Sequence, residues 1–351
     1  MTPIARGVAT AALSAALFGA TTPFLQRFGA AADPAATAAL LYAGAALFAW
    51  ATGGRALPRT WWPRLGSVGL FGAFLAPVAL AAGLARTPGT TASLLLNLEA
   101  VFTVALGALV HREPVGARVL AGLGLIALGG VAVALNGAAA SGGPGSGVGP
   151  LLVAAATLGW AADNTLSRPL SDLDPASVVV GKGVVGTVLS VGLALGTQAA
   201  WPSPGAALGV LICGALGYGG SLRLYLRAQR TLGAARTGSV FAVAPFLGVL
   251  AAMALGQPLG GAGVVLGGVL MALGLWVHLA EEHDHEHTHE AGTHNHSHRH
   301  DDEHHDHAHD PPVVGEHSHA HTHEPMVHRH PHGEDLHHRH HGPAATDPRG
   351  S

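Results

Sequence analysis

Long apolar runs, separated by short polar or Pro/Gly breaks, fill the first 280 residues of the chain. A helix that crosses the hydrocarbon core needs about 20 mainly apolar residues. Ten stretches meet that demand: 4–26, 34–53, 63–85, 89–110, 117–136, 148–169, 175–197, 205–228, 235–255 and 260–280. The pattern predicts an all-α polytopic membrane protein with ten transmembrane helices, followed by a tail without a core. Gly, with 50 copies in the chain, and Ala dominate the runs. Small residues let membrane helices approach closely where no hydrophobic force draws them together, so a tightly packed bundle is expected.

Composition sharpens this picture. Hydrophobic residues make up 49% of the chain and charged ones 11%, against about 25% charged in a soluble domain. Water-soluble enzyme folds are thereby excluded. Up to Ala280 the chain carries fourteen Lys and Arg against six Asp and Glu, whereas residues 281–351 carry four against fifteen. The two parts suit different solvents. The single cysteine, Cys213, lies in an apolar stretch, which excludes an intrachain disulfide framework or a cysteine-based zinc site.

Basic residues in the loops predict the orientation. With the N-terminus in the cytosol, Arg6, Arg55, Arg59, Arg64, Arg112, Arg118, Arg168, Arg227, Arg230 and Arg236 lie inside, against Arg27 and Arg86 outside. An even number of spans then puts the C-terminus in the cytosol too, in an inner or plasma membrane. A cleaved signal peptide is an alternative reading of the first run, since Arg6 precedes an apolar stretch followed by small residues.

An internal repeat argues against that alternative. At an offset of 144, Arg86, Thr87 and Gly89 match Arg230, Thr231 and Gly233, Ala100 and Phe102 match Ala244 and Phe246, and Pro114 and Gly116 match Pro258 and Gly260. At an offset of 141, Arg27, Asp33 and Pro34 match Arg168, Asp174 and Pro175. Because five is odd, two five-helix units enter the membrane from opposite sides, which is the inverted-repeat plan of secondary transporters. The expected organisation is a first repeat over 1–136, a Gly-rich linker over 137–147, a second repeat over 148–280 and a disordered His-rich tail over 281–351.

The stretches LLLNLEAVFTVALGALVHREP (Leu94 to Pro114), VFAVAPFLGVLAAMALGQP (Val240 to Pro258) and GYGGSLRLYLRAQRTLGAARTG (Gly217 to Gly238), set in a duplicated five-helix unit, resemble the EamA families of the drug/metabolite transporter superfamily. The likeness spans roughly residues 4–280. It implies a transporter, with members that export amino acids, metabolites and drugs. The chain departs from the pattern at Gln257, where a glutamate is usual, and in its His-rich tail.

Ionisable side chains within spans are costly, so each is a site candidate. Glu99 falls near the middle of the fourth run, about ten residues from either end, where it suits the binding and release of a proton or a cationic substrate. The bland alternative is a structural glutamate bonded between helices. Thr103 shares its helical face one turn on, while Asn97 and Ser93 fall on another face, so the two pairs are not expected around one cavity. Asp163, Lys182 and Arg223 each lie about five to seven residues from the predicted cytosolic end of a span, which is roughly 8 to 10 Å deep. Asp163 is expected to pair with Lys182 or Arg223, as a cytoplasm-side gate or substrate contact. Snorkelling is the competing account of Lys182 and Arg223, the latter stacked with Arg227 and Arg230 on one stripe. Tyr218, Ser221 and Tyr225 share a different face of that span and could bond cargo. Trp160 and Asn164, one turn apart, are a further candidate pair. Glu113 reads as a structural residue at a helix end.

The tail holds 23 of the 25 histidines. They alternate with other residues in HDHEHTHE (His283, His285, His287, His289), HNHSHRH (His294, His296, His298, His300) and HSHAHTHE (His317, His319, His321, His323). Neutral imidazole ligates zinc, nickel, cobalt and copper, so the tail is expected to bind divalent metal at several low-specificity sites. Interleaved acids over about seventy residues distinguish it from an expression tag. Low apolar content predicts disorder without metal. A pH-responsive tail is the alternative, since imidazole titrates near neutrality.

No GxxxxGK[ST] motif is present, so transport would use an ion gradient or run downhill, and no cofactor is required. The expected partners are the bilayer and a small-molecule or metal-ion substrate, without nucleic acid; a homodimer fits as well. Three readings follow: a divalent-metal exporter fed by the tail, an organic metabolite or drug exporter whose tail senses or buffers metal, and a membrane-tethered metal store.

Overall fold

The structure, a computed structural model, describes residues 3–112, 115–141, 147–170, 173–279, 286–289, 292–298, 317–323 and 326–329. Two compact units divide the chain, Met1–Glu281 and Glu282–Ser351. The first is helical: α1 (Pro3–Gly29), α2 (Pro34–Ala51), α3 (Trp62–Val68), α4 (Ala76–Leu84), α5 (Gly89–Leu95), α6 (Leu98–His111), α7 (Ala117–Ser141), α8 (Val148–Ser167), α9 (Pro175–Gly196), α10 (Pro204–Cys213), α11 (Ser221–Leu232), α12 (Ala234–Phe241), α13 (Ala244–Ala254) and α14 (Ala262–Leu279). Two π-helical segments, Gly69–Leu75 and Gly214–Gly220, join α3 to α4 and α10 to α11. Glu113, expected at a helix end, lies outside the described residues.

Local chemistry sets the helix starts. Asp33, Asp174 and Ser203 each precede a proline and accept a backbone N–H with the side chain, from Ala35, Ser177 and Ala206 respectively. Such a cap satisfies a donor that the first turn cannot, and proline at the first position gives up an N–H that would have no partner. Among the described residues, eight helices are long and apolar enough to cross a membrane: Ile4–Gly29, Pro34–Ala51, Arg59–Leu84, Gly89–His111, Ala117–Gly137, Pro175–Gly196, Pro204–Leu232 and Arg236–Ala254. Ala262–His278 is apolar but shorter. Val148–Ser167 is a 20-residue helix in which Asp163 and Asn164 dilute the apolar run.

The halves share irregularities as well as helices. The π segments fall in corresponding places, and so do the breaks at Leu96–Asn97, between α5 and α6, and at Ala242–Val243, between α12 and α13. Packing follows the same rule: α1 lies against α11 and α13, α8 against α4 and α6, α2 along α9 and α7 along α14. In the last pair Gly122 meets Gly274 and Gly129 meets Gly267, each so close that an added Cβ would strike the other's carbonyl oxygen. That approach is open only to glycine and holds helices together without a hydrophobic drive.

In the second unit β1 (Glu286–His289) pairs antiparallel with β4 (Met326–Arg329), and β2 (Gly292–His298) with β3 (His317–His323), setting His294 opposite His321 and His296 opposite His319. Histidine alternating with Thr, Ser and Asn has the two-residue period of a strand, and main-chain pairing needs no apolar core.

Candidate functional site

A missing N–H organises the centre of the bundle. In the π segment the Ala76 N–H reaches back to the Phe71 carbonyl. The next residue, Pro77, has no N–H to give, so the Gly72 carbonyl has no partner within its helix. Two side chains take it: the Tyr42 hydroxyl from α2 and the Trp160 Nε1, at 3.0 Å, from α8. Both aromatic rings are thereby anchored by their polar ends. One turn along α8, the Asp163 carboxylate packs against Gly72, where a Cβ would overlap it.

Asp163 accepts from Lys182 of α9 at 2.5 Å and from Ser167 at 3.0 Å. Its side chain is 5% exposed and that of Lys182 20%. The neighbouring Asn164 donates to Glu99 of α6 at 3.0 Å. Glu99, Asp163, Asn164 and Lys182 line a cavity of about 390 Å³ together with Phe18, Tyr42, Trp160, Tyr218, Tyr225 and Phe241. The rings form a connected set: Tyr218 lies 5.5 Å from Tyr42, 5.7 Å from Phe18 and 6.2 Å from Trp160, and Phe241 lies 5.5 Å from Phe18 and 5.1 Å from Tyr225. Ser221, also on the lining, is tied to Ser14 of α1 through a reciprocal pair of hydroxyl-to-carbonyl bonds at 2.7 and 2.9 Å.

A second cavity of about 480 Å³ shares Phe18, Glu99, Tyr225 and Phe241 with the first and adds Asn97, Thr103 and His278. Glu99 therefore borders both. A third cavity, about 640 Å³, is a mouth lined by Thr52, Gly53, Asp174, Arg223, Arg227 and Arg230. It holds more space but less convergent chemistry, and it meets the central cavity at Val179 and Leu222, which border both.

The candidate residues thus sort by place. Glu99, Trp160, Asp163, Asn164, Lys182, Tyr218 and Tyr225 come together around the central cavity. Of the two expected partners of Asp163, Lys182 makes the pair; Arg223 donates instead to the Thr52 carbonyl at 2.6 Å, in the mouth. The expected separation of Asn97 from Glu99 and Thr103 is corrected, because the break at Leu96–Asn97 resets the helical phase and all three line the second cavity. Ser93 is buried beside Gly248, away from that lining. Phe18, Tyr42, Gly72 and Phe241 escaped sequence reasoning. The rarity of tyrosine, three in 351 residues, was the available signal for Tyr42.

Of the tail residues proposed as metal ligands, His283, His285 and His300 lie outside the described residues. For His287, His289, His294, His296, His298, His317, His319, His321 and His323 the structure describes the backbone alone.

Apolar helices of spanning length around a polar, aromatic-lined centre define a multi-pass α-helical membrane protein. The EamA-like transporter family matches the chain twice, over residues 5–135 and 147–280. The chain belongs to that family, a family of transporters rather than of enzymes. An uncharacterized transporter of Methanothermobacter thermautotrophicus is 32% identical over 187 residues, covering 52% of this chain and 54% of the relative. The chain thus spans about half the length of that curated relative. A solved crystal structure at 21% identity covers 78% of this chain and 98% of its own, with a TM-score of 0.57, and supports the fold.

Proposed function

We propose that this protein is a secondary transporter that exports a small organic solute by alternating access, with the solute held in the central cavity against Glu99 and Asn164. Ten spans in two inverted five-helix repeats, both termini cytosolic, form the body; the mirrored packing of α1 and α8 supports that plan. The observation that carries the reading is the accessible Glu99–Asn164 pair beside the buried Asp163–Lys182 pair, inside an aromatic wall. Helix breaks in corresponding positions of two repeats point to the binding site in transporters of this plan, and Leu96, Asn97 and Ala242 at those breaks line the second cavity, which shares Glu99 with the central one. Trp160, Tyr218 and Tyr225 contribute lining contacts in the central cavity, Thr103 and Asn97 line the adjoining second cavity, and Lys182 and Arg223 act on the cytosolic side.

A second reading, divalent-metal efflux, is favoured by the 23 tail histidines. In that reading the tail collects zinc, nickel, cobalt or copper and delivers it to the cavity. In the organic reading it binds metal to sense or buffer it. A membrane-tethered metal store is the third, weakened by a body far larger than an anchor.

Three strains separate these readings: one expressing the full chain, one a chain ending at Ala280 and one Glu99→Gln. Export of organic solutes abolished by Glu99→Gln, with cell metal content unchanged, supports the first. Metal efflux that survives truncation but not Glu99→Gln supports the second and sinks the first. Metal retention with no flux of any solute supports the store.

A further inference from the structure

The lining of the central cavity is unlike the rest of the chain. Aromatic residues are 5% of the sequence, yet all three of its tyrosines, Tyr42, Tyr218 and Tyr225, border this one space, with Trp160, Phe18 and Phe241 beside them. Ring centroids 5.1 to 6.2 Å apart make them one continuous wall. The face of an aromatic ring is the negative end of its quadrupole and attracts a cation that has shed its water.

The charges around that wall leave a remainder. Two carboxylates reach the cavity. Asp163 is answered by Lys182 and a Ser167 hydroxyl, while Glu99 has a neutral amide donor, Asn164. With Glu99 ionised, the cavity lacks one positive charge.

Resting on the transporter reading above, we propose that the cargo is an organic monocation, an amine or quaternary ammonium bearing an apolar group, whose charge sits among the aromatic faces with Glu99 as its counter-ion. A volume of about 390 Å³ lies within the range of roughly 300–1,000 Å³ usual for small-molecule sites. A dication would have to draw on Asp163 and break its pair with Lys182, so the site selects for single charge. A carboxylate-bearing solute would set its anion against Glu99, so organic anions are excluded.

The test is calorimetric binding to the purified full chain in lipid nanodiscs, with benzyltrimethylammonium as the probe. It is compared with the neutral N,N-dimethylbenzamide, the anion phenylacetate and the dication p-xylylenebis(trimethylammonium). The monocation is expected to bind best. Glu99→Gln and Tyr225→Leu are each expected to weaken it roughly tenfold, and Tyr225→Phe, which keeps the ring face, to restore binding. Identical melting curves for Tyr225→Leu and Tyr225→Phe keep the comparison free of folding defects. Equal binding of the neutral amide, tighter binding of the dication, or no effect of Glu99→Gln and Tyr225→Leu would overturn the proposal. Uptake of the same four probes, and of zinc ions in parallel, into proteoliposomes tells the two readings apart. Glu99-dependent movement of the amide or of phenylacetate leaves the organic-solute transporter standing and removes the cationic cargo, whereas Glu99-dependent movement of zinc ions alone removes both.

Discussion

The Asp163 carboxylate rests on the α-carbon of Gly72, leaving no room for a methyl group between them. The same glycine's carbonyl receives Tyr42 and Trp160. One residue in a π-helical turn therefore seats a carboxylate and two aromatic walls, and the cause lies five residues on, in a proline without an N–H. Gly72→Ala must push Asp163 away from Lys182 or bend the turn. Overpacking of this kind costs about 1–3 kcal/mol. Purified Gly72→Ala is expected to melt earlier than the parent and to lose transport, whereas Gly66→Ala, with open space around its Cβ, should do neither. Parent-like melting and transport in Gly72→Ala would contradict the account.

The Asp163–Lys182 pair lends itself to a double-mutant cycle. Removing one member of a buried pair strands the other charge at a cost of about 3–5 kcal/mol, while replacing both is often close to neutral. Lys182 retains 20% exposure and can turn to water when left alone, whereas Asp163, at 5%, cannot, which places the loss of Asp163 at the lower end. Lys182→Met is expected to destabilise most, Asp163→Asn less, and the double variant less than Lys182→Met alone. Unfolding in detergent by a thermal shift assay reads the order. Additive losses in the double variant would mean that the two residues do not interact.

Much of this architecture is legible in the sequence, and the reason is the solvent. In hydrocarbon an apolar run must satisfy its backbone internally, so it becomes a helix with ends close to the ends of the run: the run 175–197 is the helix Pro175–Gly196, and 34–53 is Pro34–Ala51. Position along a span brought Asp163 and Lys182 within reach of each other. Rotation about the helix axis is not legible, so nothing in the sequence could choose Lys182 over Arg223 as the partner of Asp163. Regular helical phase also failed at Leu96–Asn97, where two residues of turn swing Asn97 round to the side of Glu99 and Thr103. Aromatic residues in an apolar run look like ordinary packing, which hid Phe18, Tyr42 and Phe241. In the tail, composition predicted no fold, but alternation at a period of two was compatible with the strand pairs observed.

Asp174 gives a pH-dependent prediction at the rim of the mouth. Its carboxylate accepts the Ser177 hydroxyl at 2.7 Å and the Ser177 N–H at 2.9 Å, capping α9. The Ser177 hydroxyl bond holds it below the usual carboxylate range, helped by backbone N–H groups and by the charge of Arg223. A folded-state value depressed in this way contributes stability above the unfolded pKa, and that contribution is lost as pH falls through the folded value. Asp174→Ala is expected to cost about 1 kcal/mol at neutral pH and progressively less as the medium is acidified below the normal carboxylate range. Melting temperatures of parent and variant that stay equally far apart at low pH would show that the cap is not electrostatic.

At the opposite end of α2 from the mouth, a polar clasp shuts the bundle. Gln257 accepts the Gly89 N–H at 2.7 Å and donates to Gln26 at 2.8 Å, and Gln26 donates to the carbonyls of Leu84 at 2.9 Å and Thr87 at 2.7 Å. Thr90 adds a bond to the Pro258 carbonyl at 3.1 Å. These bonds tie α1, α4 and α5 to the loop between α13 and α14, the elements that must separate if a cavity entered from the mouth is ever to open at this end. Each bond contributes about 0.5–1.5 kcal/mol. Gln257→Ala removes two of them and is expected to raise the population open at this end by roughly 5- to 150-fold. The chain's single cysteine, Cys213, is buried, so a Cys213→Ser background carrying Thr90→Cys reports directly through its rate of alkylation by a water-soluble maleimide. Faster labelling is expected in Gln257→Ala and in Gln26→Ala. An unchanged rate in both would mean that the clasp is not what keeps this end closed, and that the gate lies elsewhere in the packing of α1 against α13.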